Sequence, residues 1–351
     1  MEGAAAMALE QLHLENFTVF RKLDLKFCRG INVLIGENGT GKTHLLKVLY
    51  AFYESNTLSR NAKLLFFETL SQCFCADRFD VMFNRLGEPL KIILGVNEKF
   101  FAYQAAFKDN IPKEEQLEPP LGQMEVSLQI KGKRTREEVK TAFIPAKEML
   151  THAGIEKDYV ERHVPFDKTL VDILFKSGMS QLRELTPSAR ETLDCIQQII
   201  GGRVVFEKDR YFIMHNGYKT GFQSEAEGFK KLSVLWRLIE TGLLARGSLL
   251  FWDEPEANIN PKYIPQLVDM LYALQESGVQ IVLATHDYVL AKYLELKSRG
   301  ADSLGFHSLY YNGSHLVEAE SKPLFRDLEK NSIGDAYNQL LDEVFEQTIR
   351  G

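Results

Sequence analysis

Apolar and polar residues alternate over most of the first 35 positions, which is the pattern of strands with one buried face. The segments LEQLHLENFTVF and KLDLKF show this alternation, whereas the run INVLI that follows them is apolar almost throughout. A short, nearly continuous apolar run favours a strand buried on both faces. Four apolar residues then recur at helical spacing between positions 45 and 52, and FFETLSQCF continues that pattern. The N-terminal pattern thus predicts strands, a loop at 36–43 and a helical stretch.

Alternating segments return in the next part of the chain. LKIILGV, KFFAYQAAF, MEVSLQIKG and KTAFIPA are typical of strands, and the turn-rich stretch FKDNIPKEEQLEPPLGQ lies among them. We expect these strands to form a sheet that enlarges the N-terminal lobe. Residues 148–200 change to amphipathic helical patterns, clearest in DKTLVDILFKSGMSQLREL and SARETLDCIQQII. They predict a helical insertion.

The C-terminal part begins with a predicted hairpin. GGRVVFEKDRYFIMHNGYKTGF contains two β-type runs joined by charged residues, with a His-Asn-Gly turn after them. Beyond it, the pattern predicts the helix EGFKKLSVLWRLIETGLLA, the strand SLLFW, the helix YIPQLVDMLYALQES and the strand QIVLAT. Strands alternating with helices favour a parallel sheet covered by helices. The predicted fold class is therefore α/β, with a mixed sheet, an antiparallel β lobe and a helical insertion.

The composition indicates a folded globular protein rather than a disordered, strongly basic or membrane-spanning one. The chain of 351 residues is 45% hydrophobic and 26% charged, which is ordinary for a folded globular protein. Its formal net charge of -6 gives no overall attraction to nucleic acid, so such contact would need a local basic patch. The four cysteines lack C-x-x-C spacing, which fits a reducing cytoplasm. No apolar run reaches the roughly 18 residues that a membrane span needs, so we expect no membrane association.

The glycine-rich loop GENGTGKT carries the first chemical signal. It matches the spacing G-x-x-x-x-G-K-[ST], with a strand before it and a helix after it. Glycines let the backbone N–H groups approach phosphate oxygens, and the new helix presents its positive end to them. We expect Lys42 to bridge the β and γ phosphates of a nucleotide and the Thr43 hydroxyl to bind Mg²⁺. The predicted nucleotide-binding residues are Gly36, Glu37, Asn38, Gly39, Thr40, Gly41, Lys42, Thr43 and His44. The alternative is a turn that binds nothing.

A second signal lies about 210 positions downstream. The segment SLLFWDEPEANINP is an apolar strand that ends in Asp253 and Glu254, the form of a Walker B strand. We expect Asp253 to hold Mg²⁺ through water or through Thr43, and Glu254 to activate the attacking water as the general base. The alternative is a strand that ends in an acidic turn containing proline.

The next predicted strand, in GVQIVLATHDYVL, ends in Thr285, His286 and Asp287. Open α/β sheets bind ligands at the carboxyl ends of their parallel strands. We therefore expect His286 to reach the γ-phosphate or the hydrolytic water. A structural histidine is the alternative.

These motifs resemble those of a known superfamily. LENFTVFRKLDLKFCRGINVLIGENGTGKTHLLKVLYAFYE, FWDEPEANINP and IVLATHDYVL look like the ATP-binding heads of the ABC superfamily, and most like the soluble branch related to SMC, RecF and OLD-type ATPases, including the AAA-type ATPases of bacterial defence. Specific motifs cover the first 55 residues and about 224–318. The resemblance implies an ABC-type head in two halves, 8–147 and 201–351, separated by the insertion at 148–200, with ATP and Mg²⁺ as ligands.

The resemblance also implies a signature segment that contacts ATP held by a second subunit. SEAEGFKKLSVL stands in that place, with Gly228 at the later glycine and Ala226 where the family has serine. Ser224 is a possible substitute for that hydroxyl. The helix N-terminus after Gly228 could still face a γ-phosphate. The alternative is an ordinary loop before a core helix.

Two further family positions, the D-loop and the Q-loop, depart from the family pattern here. Asn258 and Asn260 stand at the D-loop, where they would contact a dimer partner or cap the helix beginning at Pro261. Lys147 and Glu148 stand at the Q-loop, which lacks its glutamine.

Related heads contact the base or ribose through an NF-x-x-F segment. Asn16, Phe17 and Phe20 hold that pattern here, with Arg21 as a possible partner, and core packing remains an alternative for at least one phenylalanine. The basic run KGKRTR at 131–136 is a predicted hairpin tip, either solvated or in contact with nucleic acid.

The preferred functional hypothesis is an ATPase head that forms a homodimer or higher homo-oligomer around ATP. By the resemblance it would regulate a separate effector, a nuclease or toxin, in bacterial anti-phage defence, since too few residues follow His286 for a fused nuclease. A DNA-repair or recombination ATPase of the RecF or SMC kind is the main alternative. A transporter head or a small-molecule kinase fits less well. The missing serine at Ala226 predicts slow hydrolysis.

Overall fold

Three β-sheets and nine α-helices make up the part of the chain that the computed structural model describes, residues 8–55, 59, 61–107, 124–132, 139–162, 164–298, 300 and 302–350. The strands are β1 (Leu9–Phe17), β2 (Phe20–Lys26), β3 (Ile31–Gly36), β4 (Leu90–Val96), β5 (Lys99–Phe107), β6 (Met124–Lys131), β7 (Thr141–Ile144), β8 (Arg203–Glu207), β9 (Arg210–Met214), β10 (Lys219–Gly221), β11 (Leu249–Asp253), β12 (Gln280–Ala284), β13 (Leu304–Tyr311) and β14 (Val317–Lys322). The helices are α1 (Lys42–Glu54), α2 (Ala62–Phe74), α3 (Ile155–Arg162), α4 (Lys168–Ser177), α5 (Pro187–Ile200), α6 (Glu227–Glu240), α7 (Ile264–Glu276), α8 (Tyr288–Lys297) and α9 (Ser332–Arg350).

The central sheet brings distant parts of the sequence together. Its order is β14-β13-β3-β12-β11-β7, and all neighbours run parallel except β14, which is antiparallel to β13. Ala284 of β12 is aligned with Asp253 on one side and with Leu34 on the other. The carboxyl ends of β3, β11 and β12 therefore lie at one edge of the sheet, where α/β proteins bind ligands.

The antiparallel lobe is a second sheet with the order β2-β1-β4-β5-β6. Along β1 and β2 the buried residues alternate with more exposed ones, as the sequence pattern predicts. The prediction that KTAFIPA belongs to this lobe is wrong. Its strand, β7, pairs with β11 in the central sheet, and all four of its residues are buried. A strand covered on both faces carries no alternation that could assign it to one sheet or the other.

The predicted hairpin strands at 203–221 form a small antiparallel sheet with the order β10-β9-β8. Lys208 and Asp209 join β8 to β9, and both have left-handed backbone conformations, with φ of 50° and 59°. Two adjacent residues in that conformation are the mark of a tight two-residue hairpin turn. The residues of the His-Asn-Gly turn lie between β9 and β10.

The helices of 148–200 pack on the same apolar core as the central sheet. Leu193, Ile196 and Ile200 of α5 share this core with Ile31 and Val33 of β3. The amphipathic period of α5 explains the contact, because its buried residues recur three or four positions apart.

Polar contacts also join this helical segment to α1, the helix after the glycine-rich loop. Lys47 of α1 pairs with Asp167 at 2.6 Å, and the hydroxyl of Tyr50 donates to Asp172 at 2.7 Å. The helical segment therefore lies directly against the element that carries the loop.

The final helix, α9, is only partly packed. Tyr337 stacks on Tyr288 of α8 with ring centroids 3.8 Å apart, which fixes the first half of the helix. Farther along, α9 exposes the apolar side chains of Leu340, Leu341, Val344, Phe345 and Ile349. Neither α9 nor any other helix in the described part of the chain has the length and apolar character that a membrane crossing needs.

Candidate functional site

The loop between β3 and α1 has a shape that only glycine permits at its key positions. Gly36, Gly39 and Gly41 have φ of 141°, 83° and 90°, in the range that residues with a β-carbon rarely adopt. A β-carbon on Gly36 would lie 2.1 Å from the carbonyl oxygen of Leu309, and one on Gly41 would lie 2.5 Å from the ring of Phe20. The loop is therefore packed closely between β13 and the turn that joins β1 to β2.

The side chain of Lys42 closes back over this loop. Its Nζ donates to the carbonyl oxygens of Gly36 at 2.7 Å and Glu37 at 2.9 Å. Burial lowers the pKa of Lys42, while the nearby carboxylates of Asp253 and Glu254 act in the opposite direction. The Lys42 ammonium thus lies against the backbone of the loop, where it could contact a phosphate bound there.

Thr43 and Asp253 meet across the sheet edge. The hydroxyl of Thr43, at the start of α1, donates to Oδ2 of Asp253 at the end of β11, at 2.8 Å. Asp253 is only 8% exposed, and burial raises the pKa of its carboxyl although the bond from Thr43 lowers it. A hydroxyl and a carboxylate side by side are the oxygen ligands that Mg²⁺ takes in phosphate loops, so these residues fit that ion.

Glu254 leaves β11 in a left-handed conformation, with φ of 50°. Its N–H donates to the carbonyl of Ala284 in β12 at 2.8 Å. Oε1 of Glu254 lies 3.4 Å from Nδ1 of His286, and both side chains are partly exposed, 34% and 52% respectively. The structure therefore brings the predicted base and the predicted histidine together at the mouth of the site.

The residues beyond His286 are held by local contacts. Thr285 donates its hydroxyl hydrogen to Glu256 at 2.6 Å, and Thr285 Oγ1 accepts from the N–H of Asp287 at 2.9 Å. Asp287 then caps α8 by accepting from Leu290 N–H at 2.6 Å. These bonds fix the backbone on both sides of His286.

Lys231 is a residue of the site that the sequence analysis missed. It lies on α6, is 3% exposed, and its Nζ donates to the backbone carbonyl of Glu254. Burial lowers the pKa of Lys231 to about 8, while the carboxylates of Glu256, Glu254 and Asp253 oppose that change. One signal in the sequence could have found it, because Lys231 falls three positions after Gly228 and four before Leu235, on the buried stripe of the helix. A lysine on such a stripe needs a partner.

The signature-like segment is packed against the turn that follows β11. A β-carbon on Gly228 would lie 2.4 Å from the carbonyl oxygen of Asn258, so packing alone requires glycine there. Ala226 is the N-cap of α6 and makes no side-chain cap, and Ser224 ends a short 3₁₀ turn before it. A cavity of about 240 Å³ opens beside Gly228 and Asn258, and none of its described lining residues belongs to the phosphate loop.

Other predicted positions have local partners. Asn260 accepts from Lys262 N–H at 3.1 Å, which supports the capping alternative for this residue. Glu148 accepts the N–H and hydroxyl of Thr151, at 3.1 Å and 2.6 Å, while Lys147 is exposed. The ring of His44 packs against Phe74 with centroids 5.0 Å apart, and burial lowers the pKa of His44 to about 4.

The expected contact of the NF-x-x-F segment with the base is wrong for its buried members. Asn16 is 3% exposed and donates to the carbonyls of Arg85 and Glu88, while Phe17 and Phe20 are fully buried. Phe20 instead supports Gly41 from beneath the loop. Arg21 pairs with Glu88 at 2.6 Å. Most of the basic run at 131–136 lies outside the described residues.

Two family models match the chain. Residues 7–151 match the family described as "AAA ATPase domain", and residues 129–292 match the family described as "AAA domain, putative AbiEii toxin, Type IV TA system". Together the two matches cover the phosphate loop, the end of β11 and His286.

Curated relatives share a short segment with this chain. The DNA replication and repair protein RecF of Limosilactobacillus fermentum is 41% identical over 61 residues, 17% of this chain and 16% of that protein. RecF of Rickettsia conorii is 46% identical over 56 residues, 16% of this chain and 15% of that protein. The matching segments thus span less than a fifth of those relatives.

Solved structures match over the whole fold. The Smc head domain of Pyrococcus furiosus with an extended coiled coil, bound to the C-terminal domain of ScpA, has a TM-score of 0.54 at 11% identity, covering 96% of this chain and 99% of that one. An SmcHead bound to the C-winged helix domain of ScpA has a TM-score of 0.56 at 11% identity, covering 92% and 100%. The motifs and the matches together show that the chain resembles the ATPase heads of the SMC and RecF kind, and its fold is that of the Smc head domains.

Proposed function

We propose that the chain binds ATP with Mg²⁺ and hydrolyses it to ADP and phosphate. The observation that carries the proposal is the 2.8 Å bond between Thr43 and Asp253, with Glu254 and His286 directly beside it. This contact joins the phosphate loop to the acidic end of β11. The two motifs that phosphate hydrolysis needs therefore form one site.

In the proposed reaction the triphosphate lies in the loop, where backbone N–H groups and the Lys42 ammonium bind its oxygens. Lys42 exchanges its bonds to the Gly36 and Glu37 carbonyls for the β and γ phosphates. Thr43 and Asp253 would hold Mg²⁺, which supplies positive charge to the phosphates when bound. Glu254 accepts the proton of the attacking water, and His286 contacts the water or the γ-phosphate.

Phosphate release from ATP by the purified full-length chain tests this proposal. We expect Glu254→Gln to lower kcat by about a hundredfold or more while ATP still binds, because only the proton acceptor is lost. Lys42→Ala should weaken ATP binding itself. Lys63→Ala, an exposed change at the start of α2, is the matched control and should behave as wild type. Hydrolysis by Glu254→Gln at the wild-type rate would contradict the assignment.

We also propose that two copies close around ATP. The support is the cavity beside Gly228 and Asn258, since none of its described lining residues comes from the phosphate loop. In this proposal, a nucleotide in the loop of one copy meets the N-terminus of α6 of the second copy. In size-exclusion chromatography with light scattering and saturating ATP, the Glu254→Gln variant should have twice the mass of one chain, whereas Lys42→Ala should remain a monomer. A monomeric Glu254→Gln chain at saturating ATP contradicts this step.

The proposed biological role of the ATP-bound dimer is to regulate a separate effector, a nuclease or toxin, in cytoplasmic anti-phage defence. The support is the match of residues 129–292 to a family whose description names a toxin of a type IV toxin–antitoxin system. Plaque counts on cells carrying the native locus, with the wild-type or the Lys42→Ala chain, test it. Equal plaque numbers for wild type, Lys42→Ala and a deletion strain would count against a defensive role.

The RecF relatives favour a second candidate, a DNA-binding ATPase, because they are named as DNA replication and repair proteins and share 41% identity over 61 residues and 46% over 56 residues with this chain. DNA binding through phosphate contacts weakens steeply with salt. Binding of duplex DNA that strengthens with ATP and weakens as salt rises would support this candidate. No binding at low salt, with or without ATP, would exclude it.

A further inference from the structure

The contact between Lys231 and the Glu254 backbone joins α6 to the proposed catalytic turn. Lys231 Nζ donates to the Glu254 carbonyl oxygen, which also accepts the N–H of Ala257 at 3.1 Å. The lysine is almost fully buried, so water does not compete for its hydrogen bonds. Among the described residues, loss of this ammonium would leave the Glu254 carbonyl with the Ala257 N–H as its remaining hydrogen-bond donor, shielded from water.

The backbone at Glu254 needs such support. Its φ of 50° is unfavourable for a residue with a β-carbon, so neighbouring contacts must impose it. The N–H is held by Ala284 of β12, and the carbonyl is held by Lys231 of α6. These two bonds fix the peptide groups on both sides of the Glu254 α-carbon. They thereby set the direction in which its carboxylate leaves the chain, toward His286.

The charges around Lys231 point to the same role. Asp253, Glu254 and Glu256 place three carboxylates within four positions of the chain, and all three act on the Lys231 ammonium. Glu256 is 9% exposed, and one of its carboxylate oxygens accepts a hydrogen bond from the Thr285 hydroxyl. A buried cation beside these groups reduces their mutual repulsion, which would otherwise push the turn apart.

α6 holds the turn at a second point. Gly228, one helical turn before Lys231, lies against the carbonyl of Asn258. The helix therefore contacts both the first and the last residue of the segment 254–258. A displacement of α6 would move the whole segment, and Glu254 with it.

We propose that Lys231 is a positioning residue for hydrolysis: its ammonium holds the Glu254 backbone in the conformation that presents the carboxylate to the attacking water. The inference rests on the proposed ATP hydrolysis by Glu254. It assigns to α6 a direct control of the base, in addition to any contact of its N-terminus with a nucleotide.

Lys231→Met tests the role, since methionine keeps most of the side-chain volume and removes the donor. We expect kcat to fall about tenfold to a hundredfold, the scale of an angstrom-sized misplacement of a reacting group, with KM and ATP affinity changed less than about twofold. Lys231→Arg keeps a cationic donor and should retain kcat within about threefold. Lys230→Met is the matched control, because Lys230 is equally buried but pairs with Glu227 on its own helix. It should leave kcat unchanged.

Two further measurements separate the outcomes. In a Glu254→Gln chain, Lys231→Met should lower the residual rate no further, because the lysine acts through Glu254. Hydrogen exchange at the amides of Glu254 and Ala257 should speed up in Lys231→Met and not in Lys230→Met, whether or not the chain hydrolyses ATP. Absent hydrolysis in the wild type would therefore overturn the proposed function, while the exchange result would still decide on Lys231.

Wild-type kcat in Lys231→Met, or a parallel loss of ATP affinity, would overturn the proposal, as would unchanged amide exchange. If Lys231→Met does not fold, Lys231→Arg decides: kcat near the wild-type value supports the role, and a fall as large as that expected for methionine, with normal ATP binding and exchange, contradicts it.

Discussion

The α-carbon of Gly228 lies so close to the carbonyl of Asn258 that a β-carbon would come within 2.4 Å of the oxygen. Gly228 is therefore required by packing between α6 and the turn after β11. Gly228→Ala must push the two elements apart, which we expect to cost about 1–3 kcal/mol of unfolding free energy.

Urea unfolding of the ATP-free chain measures this cost. Gly313→Ala is the control, because a β-carbon there meets open space and should change stability by less than about 0.5 kcal/mol. Equal stability of Gly228→Ala and Gly313→Ala would show that the turn after β11 can move away from α6 without a measurable loss of stability.

Adjacent residues at the end of β12 should give opposite results. His286 faces Glu254, so His286→Ala should lower kcat by about tenfold to a hundredfold and leave the melting temperature nearly unchanged. Asp287 caps α8, so Asp287→Ala should cost about 1 kcal/mol of stability and leave kcat within a few fold. ATPase kinetics and thermal melting of both variants check the contrast. A kcat loss in Asp287→Ala equal to that of His286→Ala would argue against a specific role for the imidazole.

Acid should destabilise the chain through His307. This residue is fully buried, and its two ring nitrogens form hydrogen bonds with the side chains of Ser321 and Asn32. Burial lowers the pKa of His307 from 6.5 to about 4. Between these values the unfolded chain binds a proton that the folded chain does not. Stability is therefore complete above about pH 6.5 and falls as pH drops toward 4, by at most about 3 kcal/mol from this group.

His307→Gln should flatten this part of the stability curve, measured as urea unfolding between pH 4 and pH 7. His152→Gln, at an exposed histidine, should leave the slope unchanged. An unchanged slope in His307→Gln would mean that other groups carry the acid sensitivity.

The ion pair between Lys176 and Glu54 should contribute strongly to the free energy of unfolding, because the lysine joins three elements of the fold. Lys176 Nζ donates to Glu54 at 2.5 Å, to the Tyr50 hydroxyl at 2.9 Å and to the Thr141 carbonyl at 3.0 Å, so it links α4, α1 and β7. Lys176→Met leaves the Glu54 carboxylate without its cation and should cost about 3 kcal/mol. The double change Lys176→Met with Glu54→Leu should recover much of that loss. An additive double variant would indicate that the two side chains do not interact.

Local patterns predicted most of the strands and the phosphate loop, because alternation and glycine spacing depend on neighbours in sequence. The same patterns could not show that β7 belongs to the central sheet, since a strand buried on both faces lacks alternation. The resemblance led to Asn16 and Phe17 as base contacts, but their burial depends on the segment 79–88 folding over them, which is a long-range event.

For the site, the sequence predicted the residue types at the sheet edge and their order. The parallel register then brings Thr43, Asp253, Glu254 and His286 together, as expected from strand ends that share an edge. Lys231 was missed because its partner is a backbone carbonyl 23 positions away, which no side-chain motif records. A backbone carbonyl can accept a hydrogen bond whatever its side chain is, so the sequence does not identify the residue that provides it.

The position of β3 between β12 and β13 has a consequence for how the protein is made. The phosphate loop is translated before both strands that flank β3 in the sheet, which end at residues 284 and 311. A nascent chain that has left the ribosome only as far as α5 has no neighbour for β3 in the central sheet. Such a chain lacks the contact that shapes the phosphate loop in this structure, because Gly36 lies against the carbonyl of Leu309 in β13. The proposed nucleotide site can therefore form only after β13 has been synthesised, so we expect products truncated before residue 304 to lack it.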